Sequence, residues 1–360
     1  MWKIRTNTFL NICIVLSLFV LFYTAMLTND TVKENRHVRK SLKKDSIRFL
    51  PSINSKKSKE YNVWLIFTKV TNVSTLSYKF RDLLHNLLNV SSVPLKFNII
   101  VDKVSQTIAE NQITEVLLYG RKSLVYSFYD IEDCAKKIQD IVEVMTPHFS
   151  SKPGTYYSDA LFYISLGLYR IAPLNQHYAI LLDCDLYFKK DISLLFDEFA
   201  KFKSSALFGL APELTPVYRH ILHAYKSKHN TTFGEFYHDG GNSSNQSHPN
   251  GFQGYNTGVV LINLGAQRKS LEFPKVVSNE SVQAMTTKYR FRGHLGDQDF
   301  YTLMGYEYPH LIQTLHCGFN RQLCTWWRDH GYSGIFSDYF KCSHDVIVLH
   351  GNCNTRIPKR

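Results

Sequence analysis

Tyr178-Ala-Ile-Leu-Leu-Asp-Cys-Asp-Leu-Tyr-Phe188 decides how this chain is read. Ala179 to Leu182 is a short apolar run that stops at two aspartates one residue apart. The run is too short for a core helix and is flanked by polar turns, so it reads as a buried parallel strand. The carboxyl ends of such strands are where open α/β sheets bind ligands. Asp183 and Asp185 would offer hard oxygen donors there, suited to Mg2+ or Mn2+. The plain alternative is a strand end carrying two solvated aspartates.

Working outward, strands and helices alternate. Val63–Phe67 and Leu95–Val101 read as strands, and Leu76–Leu88 has helical spacing between them. Ile131–Val144 and Tyr157–Ile171 read as helices before the central strand. After it come a turn and helix over 188–202, a strand at Ala206–Ala211 and a helix opening at Pro216. Residues 229–254 are polar, rich in Gly, Asn and Ser, and without period, so they read as a loop or lid. Thr257–Asn263 and Val346–His350 are further strands, with helices at Val282–Tyr289 and Asp299–Met304 between them. The pattern predicts an α/β, mostly parallel sheet with helices on both faces.

The 360 residues are 44% hydrophobic and 14% aromatic, which excludes a disordered chain. Phe9–Thr28 is an uncharged apolar run of about bilayer length, preceded by Lys3 and Arg5. It predicts a short cytosolic tail (1–8), a single-pass signal anchor (9–28), a basic flexible stem (29–60) and a lumenal domain (61–360). A cleaved signal is the alternative. The formal charge of +12 lies mostly in the stem, where Lys and Arg run from Lys33 to Lys59. Residues 61–360 are nearly balanced, so the charge reads as a solvated stem beside a membrane and not as a nucleic-acid surface. Four of seven cysteines cluster late, at 317, 324, 342 and 353. They suit two disulfides of open pairing in a lumenal chain, and the spacing lacks the Cys-X-X-Cys pairs of zinc sites. Asn-X-Ser/Thr sequons include those beginning at Asn72, Asn89, Asn230, Asn242, Asn245 and Asn279.

Several motifs then converge. Asp183-Cys-Asp185 is followed by Phe252-Gln-Gly-Tyr-Asn-Thr-Gly-Val-Val-Leu-Ile-Asn263, by Gly293-His-Leu-Gly-Asp-Gln-Asp299, and by a strand ending in His350-Gly351. This order resembles the retaining GT-A glycosyltransferases of the glycogenin-like family. Tyr157-Ser-Asp159, Pro216-Val-Tyr-Arg-His220, Asn320-Arg-Gln-Leu-Cys-Thr-Trp-Trp-Arg-Asp-His-Gly-Tyr332 and His350-Gly-Asn-Cys-Asn-Thr355 look like the xyloside α-1,3-xylosyltransferases among them. The resemblance implies a GT-A (Rossmann-like) fold in the endoplasmic reticulum lumen. It implies transfer of xylose from UDP-xylose, with retention, to a xylose-glucose disaccharide O-linked to EGF-like repeats of the Notch type. Another UDP-sugar or acceptor, or a catalytically dead carbohydrate-binding protein, is the alternative. The sequence leaves the oligomeric state open, a homodimer included.

The resemblance also assigns roles. Asp183, Asp185 and His350 would hold Mn2+, with Mg2+ the alternative, and the ion would stabilise charge on the departing UDP. Phe67, Thr68 and Lys69 would lie along the uridine. Cys184 would touch the nucleotide through its backbone, so that its side-chain type matters little. Asn256 would bind the donor sugar, with Leu295 packed beside it. Gln298 would stabilise the oxocarbenium-like centre through its amide dipole, in a front-face substitution. Double displacement through Asp297 or Asp299 is the rival, and helix capping is the structural use of those two. Trp327, Arg219, His220, His223 and Asn352 would line the acceptor groove, although Arg219 equally suits a structural ion pair. The chain departs from many relatives in one respect. They carry His-X-X-Gly-X-X-Lys, whereas His350-Gly-Asn-Cys-Asn-Thr-Arg356 has no lysine at that spacing to neutralise the diphosphate.

Overall fold

A computed structural model describes residues 61–119, 124–150, 160–237 and 251–358. The expected tail, anchor and stem, Tyr157–Asp159, and residues 238–250 of the polar loop lie outside the described residues. Among the described residues, no helix is long and apolar enough to cross a membrane.

The order is β1 (Tyr61–Phe67), α1 (Thr75–Val90), β2 (Leu95–Val101), α2 (Lys103–Tyr119), β3 (Val125–Asp130), α3 (Ile131–Lys137), α4 (Gln139–Phe149) and α5 (Ile164–Ile171). Next come β4 (Ala179–Leu182), β5 (Leu186–Phe188), α6 (Ser193–Asp197), β6 (Phe208–Pro212), α7 (Val217–Ile221), α8 (His223–Lys226) and β7 (Tyr255–Ile262). The chain continues with α9 (Leu264–Lys269), α10 (Phe273–Val276), α11 (Asn279–Tyr289), α12 (Asp297–Glu307), β8 (Ile312–Thr314), β9 (Arg321–Gln322), α13 (Ser333–Phe340) and β10 (Val348–His350).

Seven strands form one sheet in the order β3-β2-β1-β4-β7-β6-β8. β7 runs antiparallel to β4 and β6, and the other neighbours are parallel. The apolar run of β4 serves both faces, as period-two geometry requires. Ala179 and Leu181 enter the core under α3, α4, α5, α11 and α12, while Ile180 and Leu182 enter the core under α1 and α2. The chain leaves β1 for β2 on one side and returns through β4 on the other. The crevice at the carboxyl ends of β1 and β4 is therefore the switch point where such sheets bind ligands. The α/β part of the expected fold class holds, with a mixed, mostly parallel sheet.

Three strands form a smaller sheet, β5-β10-β9. Its register pairs His350 with Leu186, one residue past Asp185, and Gly351 N–H donates to the Asp185 carbonyl at 2.8 Å. The outer edge of β5 is closed by a side chain. Asn86 of α1 is buried, donates to the Phe188 carbonyl at 3.0 Å and accepts from Phe188 N–H at 2.6 Å. Two disulfides, Cys317–Cys342 and Cys324–Cys353, settle the pairing that the sequence left open and fasten this carboxyl-terminal part. Cys134 and Cys184 are free and buried. The four described sequon asparagines, Asn72, Asn89, Asn230 and Asn279, are all exposed.

The expected helix at Ile131–Val144 is broken in two, because Ile138 leaves helical geometry with φ −125° and ψ 19°. The expected helix from Tyr157 begins, within the described residues, as a 3-10 turn at Ala160–Tyr163. Truncating the Asn86 side chain should leave a buried N–H and a buried C=O of Phe188 unpaired. Asn86→Ala should therefore cost about 2–4 kcal/mol of unfolding free energy. Denaturant unfolding reads this directly, and a loss under about 0.5 kcal/mol would show that β5 does not depend on that side chain.

Candidate active site

β4 ends at Leu182, and Asp183 N–H bonds back to the Gly258 carbonyl of β7 at 2.9 Å. That bond turns the next residues out of the sheet, with Asp183 exposed and Asp185 partly buried. His350 arrives from the other end of the chain, 3% exposed. Its Nε2 lies 3.5 Å from Asp183 Oδ2 and 3.4 Å from Asp185 Oδ1. The three donor atoms lie within 4.8 Å of one another, and two carboxylates plus one imidazole form a donor set that fits a divalent ion such as Mn2+. Gly258 makes room for the ring: a Cβ there would stand 2.3 Å from His350 Cε1.

The charges are mutually supporting. Burial works against a proton on His350, but hydrogen bonds and charge from Asp183 and Asp185 outweigh it and raise the imidazole to about 9. Burial likewise opposes a charged Asp185, yet His350 and Lys79 hold it well below the usual carboxylate range. Lys79 Nζ lies 3.3 Å from Asp185 Oδ2.

Behind His350 runs a chain of buried polar groups. Asn320 Oδ1 can only accept, so His350 Nδ1 carries the proton in their 2.9 Å bond and Nε2 is the atom presented to the aspartates. Asn320 Nδ2 donates to Asn256 Oδ1 at 2.8 Å, and Asn256 Nδ2 donates to Glu213 Oε2 at 2.9 Å. Glu213 Oε2 also takes Gln298 Nε2 at 3.4 Å, while Gln298 Oε1 accepts from Thr257 N–H at 3.4 Å. All three Gln298 contacts, the third to Tyr218 Oη, are at 3.4 Å, so the amide is placed but not clamped. Glu213 is almost fully buried, and that burial raises its carboxyl above the ordinary value.

The neighbouring carboxylates face elsewhere. Asp299 accepts from Leu295 N–H at 2.8 Å and Tyr218 Oη at 3.0 Å, closing the loop that leads into α12. Asp297 accepts from Ser165 Oγ and from Thr257 Oγ1. Burial raises each of these two to about 7.

The loop after β1 is braced against α2. Lys69 adopts a left-handed φ of 56°, and its N–H donates to Asp102 Oδ2 at 2.5 Å. Thr68 and Lys69 stand at the switch-point edge. The Phe67 side chain is fully buried against Phe80, at 4.3 Å between ring centroids. Cys184 is buried as well. Its thiol packs in the core 3.6 Å from the Ile66 carbonyl, so the size of the side chain does matter. Leu295 is half-buried and packs against the main core.

On the expected acceptor side, His220 Nδ1 bonds Tyr332 Oη at 2.8 Å, and its ring packs on Trp327 at 5.2 Å. Trp327 is half-buried, and the more exposed indole is its neighbour Trp326 (49%), stacked on His330 at 3.8 Å. Arg219 makes the structural ion pair, 3.3 Å from Glu235. His223 is exposed at the start of α8. Asn352 Oδ1 accepts from Leu323 and Cys324 N–H at 3.1 and 2.9 Å, tying the tail to the loop before the tryptophans. Glu213, Asn320 and Lys79 escaped the sequence reading. Glu213 alone carried a signal, as a carboxylate closing Ala211-Pro-Glu213 at a strand's carboxyl end.

The chain matches no protein-family model. It is 40% identical to human (Homo sapiens) xyloside xylosyltransferase 1 over 307 residues, covering 83% of this chain and 75% of the human protein. The crystal structure of mouse xyloside xylosyltransferase 1 in its apo form superposes with a TM-score of 0.76 at 38% identity, covering 83% of this chain and all of that one. Human (Homo sapiens) xylosyl- and glucuronyltransferase LARGE1 is 24% identical over 263 residues, or 72% of this chain and 29% of LARGE1.

Because His350 must give up its Nε2 proton to ligate a cation, Mn2+ affinity should rise with pH and level off near the His350 value of about 9. The slope should approach but not exceed ~tenfold per pH unit, with about one proton released per ion near neutrality. Calorimetry in buffers of different ionisation enthalpy measures both, and a pH-independent affinity would rule out His350 as a ligand.

Proposed function

This chain belongs to the xyloside xylosyltransferase family, with a GT-A glycosyltransferase fold, and we propose that it moves xylose from UDP-xylose to a xylose-glucose disaccharide. The acceptor disaccharide is O-linked to EGF-like repeats of the Notch type, and the reaction retains anomeric configuration. The observation that carries this reading is the convergence of Asp183, Asp185 and His350 at the sheet's switch point, in a chain this close to xyloside xylosyltransferase 1. The enzyme acts in the endoplasmic reticulum lumen, on a type II anchor over residues 9–28.

Asp183, Asp185 and His350 would hold Mn2+, which would supply Lewis acidity to the departing diphosphate. Thr68, the Lys69 loop and the Cys184 backbone flank the nucleotide. Asn256, Glu213 and Gln298 form the wall beside the donor sugar. The UDP phosphate leaves on the face that the acceptor enters and takes the acceptor hydroxyl's proton. Asp297 and Asp299 support this front-face course by their engagement elsewhere: each carboxyl already serves two donors of the protein. His220, Trp327 and Tyr332 shape one side of the acceptor groove, with Trp326 presenting the open indole face. Arg219, His223 and Asn352 complete that side, Arg219 and Asn352 by holding its loops.

Incubating the protein with UDP-sugars and a xylose-glucose-bearing EGF repeat tests the proposal. UDP-xylose should be the preferred donor, and preference for a hexose donor would reject it. Absence of Mn2+-dependent turnover with any UDP-sugar would mark a carbohydrate-binding protein instead. Removing one preorganised polar group beside a charge-developing centre typically costs about 10²–10³ in rate. Gln298→Ala should fall in that range in kcat, with a KM for donor changed by less than about threefold and product still of retained configuration. Intact-mass analysis under turnover should show no sugar adduct on Gln298, Asp297 or Asp299, and a kinetically competent adduct would establish double displacement.

A further inference from the structure

A departing diphosphate brings more negative charge than one divalent ion between two aspartates can neutralise. The tail after His350 carries an exposed arginine, Arg356, at the lysine spacing. The structure also brings a lysine to the aspartate pair from the other end of the chain. Lys79 sits in α1, and its Nζ lies 3.3 Å from Asp185 Oδ2 and 3.0 Å from Asn354 Oδ1. The two oxygens of Asp185 thus face two different cations, His350 on Oδ1 and Lys79 on Oδ2.

The tail is shaped to hold that lysine. Cys353 and Asn354 both adopt left-handed backbone, with φ of 54° and 56°. Cys353 is fixed to Cys324 by a disulfide. Asn352, one residue earlier, accepts two backbone N–H bonds from Leu323 and Cys324. A segment pinned at consecutive residues presents the Asn354 carbonyl to Lys79. The side chains of Lys79 and Asp185 are 28% and 20% exposed, so the ammonium remains open to a ligand in the crevice.

We propose that Lys79, supplied by the first helix and held in position by Asn354, is a diphosphate-neutralising cation of this enzyme. An ammonium with three rotatable donors can keep its bond to Asn354 while donating to phosphate oxygens. The inference rests on the UDP-sugar reading above. The competing role is a plain ion pair that neutralises Asp185. Such a pair would become redundant once a divalent cation occupies the site, and it would oppose cation binding.

Lys79→Met separates the two, with Lys79→Gln as a second variant that keeps a donor for Asn354. Binding of UDP, uridine and Mn2+ is measured by calorimetry, the nucleotides at saturating Mn2+. The expected result is a loss of about tenfold or more in UDP affinity, ~1.4 kcal/mol, with uridine affinity within about twofold. Affinity for Mn2+ alone should be unchanged or higher, because a competing positive charge is gone. UDP affinity within about twofold of the unsubstituted protein, or an equal loss for UDP and uridine, would overturn the inference. If the unsubstituted protein binds no UDP, the donor reading falls with it. Tight UDP binding that both substitutions leave unchanged overturns this inference alone.

Discussion

The pairing of β10 with β5 is the constraint on which the site depends. Asp183 and Asp185 end one sheet strand by local sequence alone, but a metal-binding set needs a third donor, and the chain supplies it from the far end. The register that sets His350 opposite Leu186 does so with only three residue pairs in the ladder. Such a short ladder is marginal by itself. Asn86 completes the outer edge of β5, β9 flanks β10 on its other side, and the two disulfides limit how far the tail can stray. Gly258 leaves the space that the imidazole fills.

Behind that strand, the line from His350 through Asn320, Asn256 and Glu213 to Gln298 joins the Asp183 and Asp185 end of the crevice to the end proposed for the donor sugar. Every member is buried, so each hydrogen bond is electrostatically stronger than in water, and an unpaired member would be costly. The carboxamides have no freedom to flip without leaving a donor facing a donor. The network fixes the His350 tautomer and, at its other end, holds the Gln298 amide by contacts long enough to yield to a ligand. Asp297 and Asp299, close in sequence to Gln298, are turned into structural duty.

Much of this was legible in the sequence because it is local. Short aliphatic runs bounded by polar residues read as buried strands, and β1, β2, β4 and β7 followed from such runs. The β7 direction was not legible, since a strand buried on both faces looks the same parallel or antiparallel. Between Asp102 and Ile131 the pattern failed for a physical reason. α2 exposes Val104 and Leu118, and the edge strand β3 exposes Val125 and Tyr126, which blurs both periods. At the site, ligand types at strand ends could be read, but side-chain direction could not: Phe67 turned inward, and Trp326 is more exposed than Trp327. Glu213, Asn320 and Lys79 matter at the site through partners 30 to 275 positions away, which no spacing rule reaches.

The central claim is that one cation site forms where the carboxyl-terminal strand meets the Asp-X-Asp turn. Electron spin-echo envelope modulation on the Mn2+-loaded protein tests it most directly, comparing natural-abundance protein with protein carrying 15N-labelled histidine. The account predicts one bound ion per chain with nitrogen coupling from a single imidazole, shifted by the label and abolished in His350→Ala. A bound ion showing only oxygen coordination, or a histidine coupling that survives His350→Ala, would contradict it.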